Sequence, residues 1–215
     1  MTTKERYNTI LNYFRKEMPD VDTELNYGST FQLLIAVVLS AQCTDKRVNM
    51  ITPELFRDYP TPQKMAEAEE SEIYEYVKSV SYPNAKAKHI VELSRILVND
   101  YNSEVPSNMD DLLRLPGVGR KTANVMQAVA FRMNAMPVDT HVYRVSHRMG
   151  LVPKRCNTPY KVEQELLKHI GTEQAADAHH WLLLHGRYVC KSLKPLCSKC
   201  PFDSFCPKQL EGSKL

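Results

Sequence analysis

Tyr7, Ile10, Leu11 and Phe14 recur at steps of three and four residues, which predicts an amphipathic helix across the charged N-terminus. The segment FQLLIAVVLS (31–40) is apolar on nearly every side and predicts a buried helix, with Thr30 as its cap. Pro62 suits the first turn of a short helix, and Ser71 is the expected cap of the next, EIYEYVKSV. Between Ala85 and Asn99, Ile90, Leu93, Ile96 and Leu97 share one face. Further helices are predicted at Asp110–Leu113, Arg120–Phe131, His141–Met149 (capped by Asp139 or Thr140), Thr158–Ile170 and Glu173–Cys190. No stretch alternates with the two-residue period of a half-buried strand. The predicted fold class is all-α, about ten helices joined by short loops.

Composition narrows the setting. At 215 residues the chain has room for one large domain or two small ones, and an apolar fraction of 43% supplies a core. The longest apolar run, Phe31 to Leu39, is too short to span a membrane, so no membrane partner is expected. The N-terminus is charged and unlike a secretory signal, so the expected location is cytoplasmic and reducing. A net charge of +3 says little, but its distribution says more. From Pro116 to Arg155 seven Lys and Arg residues face a single acid, Asp139, whereas residues 65–77 carry five glutamates. This pattern fits a polyanion partner as well as it fits ordinary surface patchiness.

Four of the six cysteines crowd the C-terminal end, as Cys190-x6-Cys197-x2-Cys200-x5-Cys206. Thiolates this close in sequence can form one tetrahedral all-sulfur shell, suited to Zn²⁺ or to an iron–sulfur cluster. A structural zinc site more often uses two Cys-x2-Cys knuckles; the single knuckle here leans towards iron–sulfur without deciding it. Paired disulfides are the weaker alternative in a chain with no secretory signal. The nearby His179, His180 and His185 read as packing or hydrogen-bonding residues, since the cysteines already complete a shell.

Between two predicted helices lies Leu115-Pro116-Gly117-Val118-Gly119-Arg120-Lys121. Pro116 ends the first helix, and the glycines permit a tight turn whose backbone N–H groups can approach a phosphate. Such a hairpin grips a nucleic-acid backbone without reading sequence. Lys121 falls in the first turn of the following helix, where the helix dipole disfavours a cation, and burial would act in the same direction. A neutral amine there can form a Schiff base; the plain alternative is a lysine that contacts phosphate. Asp139 caps the helix that begins at His141, and a cap carboxylate at the mouth of a cleft can also accept a proton.

Taken together, these segments resemble the helix-hairpin-helix DNA glycosylase superfamily, most closely its endonuclease III family, over nearly the whole chain. The resemblance is carried by LPGVGRKTANV (115–125), VDTHVYRV (138–145), HHWLLLHGRYVC (179–190) with the cysteine spacing behind it, LSAQCTD (39–45) and SVSYPNAKAKHI (79–90). It implies two helical domains flanking a DNA-binding cleft: a six-helix domain over residues 23–133 containing the hairpin, and a domain of residues 1–22 plus 134–215 that holds a [4Fe–4S] cluster on Cys190, Cys197, Cys200 and Cys206.

The resemblance further implies a monomeric bifunctional enzyme acting on double-stranded DNA. It would remove oxidised pyrimidines such as thymine glycol and cleave the abasic site. Lys121 matches the Schiff-base lysine and Asp139 the catalytic aspartate. Gln42 matches a residue that fills the gap left by an extruded base, and Tyr82 a wedge that enters the duplex. Leu115, Gly117 and Gly119 of the hairpin, with Lys194 of the cysteine loops, are expected to contact DNA. Tyr82 departs from the usual leucine and Ser81 from the usual glycine, while Pro83 is also unusual. A zinc-stapled DNA-binding module without activity is the competing class, and Lys121 and Asp139 together argue against it. Lysine at position 121 likewise argues against a glycosylase without lyase activity.

Overall fold

The computed structural model describes residues 1–209; residues 210–215, which close the expected cluster domain, lie outside the described residues. In chain order the α-helices are α1 (Thr3–Glu17), α2 (Thr30–Ser40), α3 (Asp45–Asp58), α4 (Pro62–Glu67), α5 (Glu70–Val77), α6 (Pro83–Asp100), α7 (Met109–Arg114), α8 (Arg120–Val125), α9 (Thr140–Arg148), α10 (Pro159–His169) and α11 (Ala175–Tyr188). Among the described residues there is no strand, so the all-α expectation holds. No helix among them is long and apolar enough to cross a membrane. The chain forms two compact units, one of Glu24–Phe131 and one of Met1–Thr23 with the segment from Arg132 onward.

In the first unit α2 is the central helix: every residue from Phe31 to Leu39 is buried except Gln32. An apolar helix of this kind is stable only when neighbours cover it on all sides; α3, α6 and α8 supply that cover. Its cap is Ser29, not Thr30. Ser29 has extended backbone and its side chain accepts from the Gln32 N–H at 3.2 Å, leaving Thr30 as the first helical residue. The cap of α5 is likewise Glu69 and not Ser71, because Glu69 and Glu72 close a reciprocal capping box.

Helix α3 was not anticipated. Its buried stripe runs through Val48, Thr52 and Leu55, so a threonine interrupts the apolar signal, and Pro53 lies inside it. The predicted helix Arg120–Phe131 divides into α8 and a π turn at Met126–Ala130, closed by Phe131 N–H to the Met126 carbonyl at 3.2 Å.

The second unit joins the two ends of the chain. Tyr7, Ile10, Leu11 and Phe14 of α1 enter a core with Val142, Val145, Leu166 and Trp181. The polar tips of the large rings are satisfied: Tyr7 donates to the Leu151 carbonyl at 2.9 Å, and Trp181 Nε1 to the Met18 carbonyl at 2.9 Å. Phe202, from between Cys200 and Cys206, is fully buried against Phe14 and so anchors the cysteine loop in this core.

Candidate active site and candidate metal centre

In the hairpin of the 24–131 unit, Leu115 ends α7 and Gly119 begins α8. The turn closes with Val118 N–H donating to the Leu115 carbonyl at 3.0 Å. Gly117 sits at φ +79°, in the left-handed region that glycine occupies without steric cost. A Cβ there would stand 3.1 Å from His89 of α6. Gly119 is different: its φ of −93° suits any residue, and a Cβ would meet nothing within 4 Å. No side chain caps α8, so Gly119 leaves the start of that helix open. Leu115, expected to contact DNA, is only 2% exposed; its side chain belongs to the core, its N–H donates to the Leu112 carbonyl at 3.2 Å and its carbonyl accepts from Val118, so its part is to shape the turn.

Lys121 is the second residue of α8 and is exposed, so the burial considered from the sequence is absent. It makes no hydrogen bond or ion pair among the described residues, which leaves its amine available.

Gln42 and Tyr82 follow different helices yet come together. Both have left-handed backbone, with φ +54° and +56°, unusual for residues with a Cβ. The Ser81 hydroxyl donates to the Gln42 carbonyl at 2.7 Å and joins the two loops. Tyr82 is 65% exposed at the head of α6, with Pro83 at the first helical position, where its missing N–H costs nothing.

Sequence reasoning missed Lys86. It is 5% exposed, and its ammonium donates to the carbonyls of Leu39 at 2.8 Å and Ala41 at 2.7 Å. Burial lowers its pKa from the ordinary lysine value. The signal was its place one turn before Ile90, on the same face as Leu93 and Leu97.

In the other unit Asp139 caps α9. One oxygen, Oδ1, accepts both from the His141 N–H and from the Val142 N–H, each at 2.8 Å. The other, Oδ2, takes part in no hydrogen bond among the described residues. Capping therefore leaves half of the carboxylate free for a second task. Burial lowers the pKa of the adjacent His141, keeping that ring towards its neutral form.

The four C-terminal cysteines line one cavity of about 30 Å³, together with Met149, His185 and Val189. That is more than one water molecule requires, about 10–15 Å³. None of the six cysteines is in a disulfide. Among the described residues no three His, Cys, Asp or Glu side chains converge closely enough for a single metal ion. Burial raises the pKa of the Cys200 and Cys206 thiols, so thiolates there call for a compensating positive charge.

The cavity is held by arginines of α9. Arg148 donates to the carbonyls of Lys191 at 2.7 Å and Ser192 at 2.9 Å, and Arg144 to that of Cys190 at 3.1 Å. His180 Nδ1 lies 3.0 Å from the Ala176 carbonyl, and His185 packs against Phe14 and Phe202, which fits the packing role expected of these rings. Lys191, Lys194 and Lys199 are exposed on the cysteine loops.

A family description, HhH-GPD superfamily base excision DNA repair protein, matches residues 35–171. The chain belongs to this superfamily. Its HhH-GPD relatives include endonuclease III of Rickettsia conorii, 49% identical over 93% of this chain and 94% of that one. Endonuclease III of Escherichia coli K12 is 44% identical over 92% of each chain. Among solved structures, a trapped covalent endonuclease III–DNA intermediate superposes with a TM-score of 0.90 at 42% identity, covering 97% of both chains. The chain is accordingly a base excision repair enzyme, a DNA glycosylase with abasic-site lyase activity.

Proposed function

We propose that this enzyme acts on oxidised pyrimidines such as thymine glycol in double-stranded DNA, as a monomer, in the cytoplasm with the DNA. The observation that carries its lyase chemistry is Lys121, an exposed, unpaired amine in the first turn behind a glycine hairpin.

A stacked base cannot be attacked, so the target nucleotide is first flipped out, at a cost of a few kcal/mol that damage lowers. Gln42 and Tyr82 would fill the space it vacates. The hairpin main chain at Gly117 and Gly119, with Lys194, would hold backbone phosphates and set the sugar in place. Lys121 Nζ, as a neutral amine, attacks C1′ as the bond to the base breaks, and the departing base takes up a proton from water. Asp139 accepts the proton lost by the amine and steadies the positive charge that builds on the sugar. The C1′–O4′ bond then opens, O4′ taking the proton that Asp139 accepted, to give an iminium that acidifies the C2′ proton; loss of that proton expels the 3′ phosphate by β-elimination.

Cys190, Cys197, Cys200 and Cys206 would hold a [4Fe–4S] cluster. The four thiols face one cavity, and an all-sulfur donor set of this kind suits an iron–sulfur cluster. When bound, the cluster would supply a structural centre that fixes the lysine-bearing loops.

Borohydride reduction of the protein on duplexes carrying thymine glycol or an abasic site tests the assignment. Wild type should be trapped covalently, and Lys121→Ala should neither trap nor cleave. Trapping of Lys121→Ala at the wild-type rate would move the nucleophile elsewhere.

A further inference from the structure

Helix α2 ends without a cation of its own: no basic residue lies in its last turn. A helix C-terminus carries partial negative charge on carbonyls that lack an intrahelical partner. Here the Leu39 and Ala41 carbonyls are served instead by the ammonium of Lys86, which reaches across from α6. The backbone of the same residue serves the other loop, with Lys86 N–H donating to the Tyr82 carbonyl at 3.1 Å. One residue thus touches the segment leading into Gln42 and the residue Tyr82 itself. Ser81 closes the ring through the Gln42 carbonyl.

What this ring constrains is unusual backbone. Gln42 and Tyr82 both occupy the left-handed region, which costs non-glycine residues free energy and persists only where the surroundings over-determine it. The side chains so presented are exposed, while the ammonium beneath them is almost wholly buried. A buried charge retained at such a place has a task that an apolar residue would not perform, because two carbonyls would be left without donors.

We propose that Lys86 is the positioning residue of the duplex-filling pair: its ammonium locks the α2 terminus to the head of α6, so that Gln42 and Tyr82 are held ready to enter the duplex before DNA arrives. Its effect is confined to substrates in which a duplex gap must be filled. This rests on the proposed DNA-facing role of Gln42 and Tyr82. A pair already ordered loses less freedom on insertion, so the gain appears in the rate on duplex DNA.

The test compares single-turnover cleavage of an abasic site in a duplex with cleavage of the same strand alone. Lys86→Met should lower the duplex-to-single-strand rate ratio at least tenfold, and Lys86→Arg, which keeps the charge, should recover much of it. In the background of Gln42→Ala with Tyr82→Ala, itself low in that ratio, Lys86→Met should add little, since the three act as one unit. Lys86→Gln, neutral but still a donor, serves if the methionine variant does not fold, with an intermediate ratio expected. Equal loss on both substrates, or no loss in folded Lys86→Met or Lys86→Gln, overturns the proposal. If Gln42→Ala with Tyr82→Ala leaves the ratio at the wild-type value, the DNA-facing reading itself fails and the proposal with it.

Discussion

Replacing Gly117 with alanine should destabilise the protein, whereas the same change at Gly119 should be nearly neutral, although both glycines belong to one turn. At φ +79° an alanine at 117 would incur the left-handed penalty, about 1–2 kcal/mol. Its Cβ would also stand 3.1 Å from His89 Cβ and Nδ1. Carbon contacts are optimal near about 3.5–4.0 Å, and His89 Cβ is fixed to α6, so the loop must shift. Loss of unfolded-state freedom returns about 0.4–1 kcal/mol, for a net backbone cost of about 1 kcal/mol, to which the shift away from His89 adds. In a chain of this size that is a fall in Tm of at least roughly 2–4 °C.

At Gly119 the backbone is extended and the added Cβ meets nothing. The same entropic gain offsets the poorer capping by alanine, so stability should stay within about 0.5 kcal/mol. Binding separates the two effects. A valine at 119 places methyl groups where a phosphate would approach, and should reduce the slope of log affinity against log salt by about 0.9 for one lost phosphate contact. Thermal melting and salt titrations of Gly117→Ala, Gly119→Ala and Gly119→Val measure both quantities. Equal melting losses at the two positions would refute the backbone argument. An unchanged salt slope in Gly119→Val would mean that the hairpin is only a turn.

Asp139→Asn keeps the oxygen that accepts from His141 and Val142, so melting should be unchanged while base removal slows by about 10²–10⁴-fold, and cleavage of a preformed abasic site slows less; Asp139→Ala should in addition lose about 1 kcal/mol of capping. Iron and acid-labile sulfide should each approach about four per chain, with loss of both when Cys200 becomes serine; one zinc and no sulfide would exclude the cluster. Buried His180 has its pKa lowered from 6.5, so below pH 6.5 the unfolded chain binds the proton more readily and stability falls with decreasing pH. The slope of Tm against pH just below about 6.5 should flatten in His180→Gln, and an equal slope would place the acid sensitivity elsewhere.

What the sequence determined is what depends on near neighbours. The helical periods of α1, α6 and α10, the turn glycines, Asp139 as a cap and the cysteine spacing are all readable because each involves residues within a few positions of one another. Lys121 is legible for the same reason, since its place behind the hairpin is a matter of spacing. Tertiary structure decided the rest. Val48, Thr52 and Leu55 make a helical face only when α2 lies against it. Gly117 and Gly119 look alike in the sequence, and it is His89, brought up by α6, that separates them. The place of Lys86 on the apolar face of α6 hints at burial, but its partners, the Leu39 and Ala41 carbonyls at the end of α2, lie 47 and 45 positions back along the chain. Hydrogen-bond partners this distant are chosen by how helices pack, and packing is settled by the fit of whole faces, which no local pattern of residues encodes.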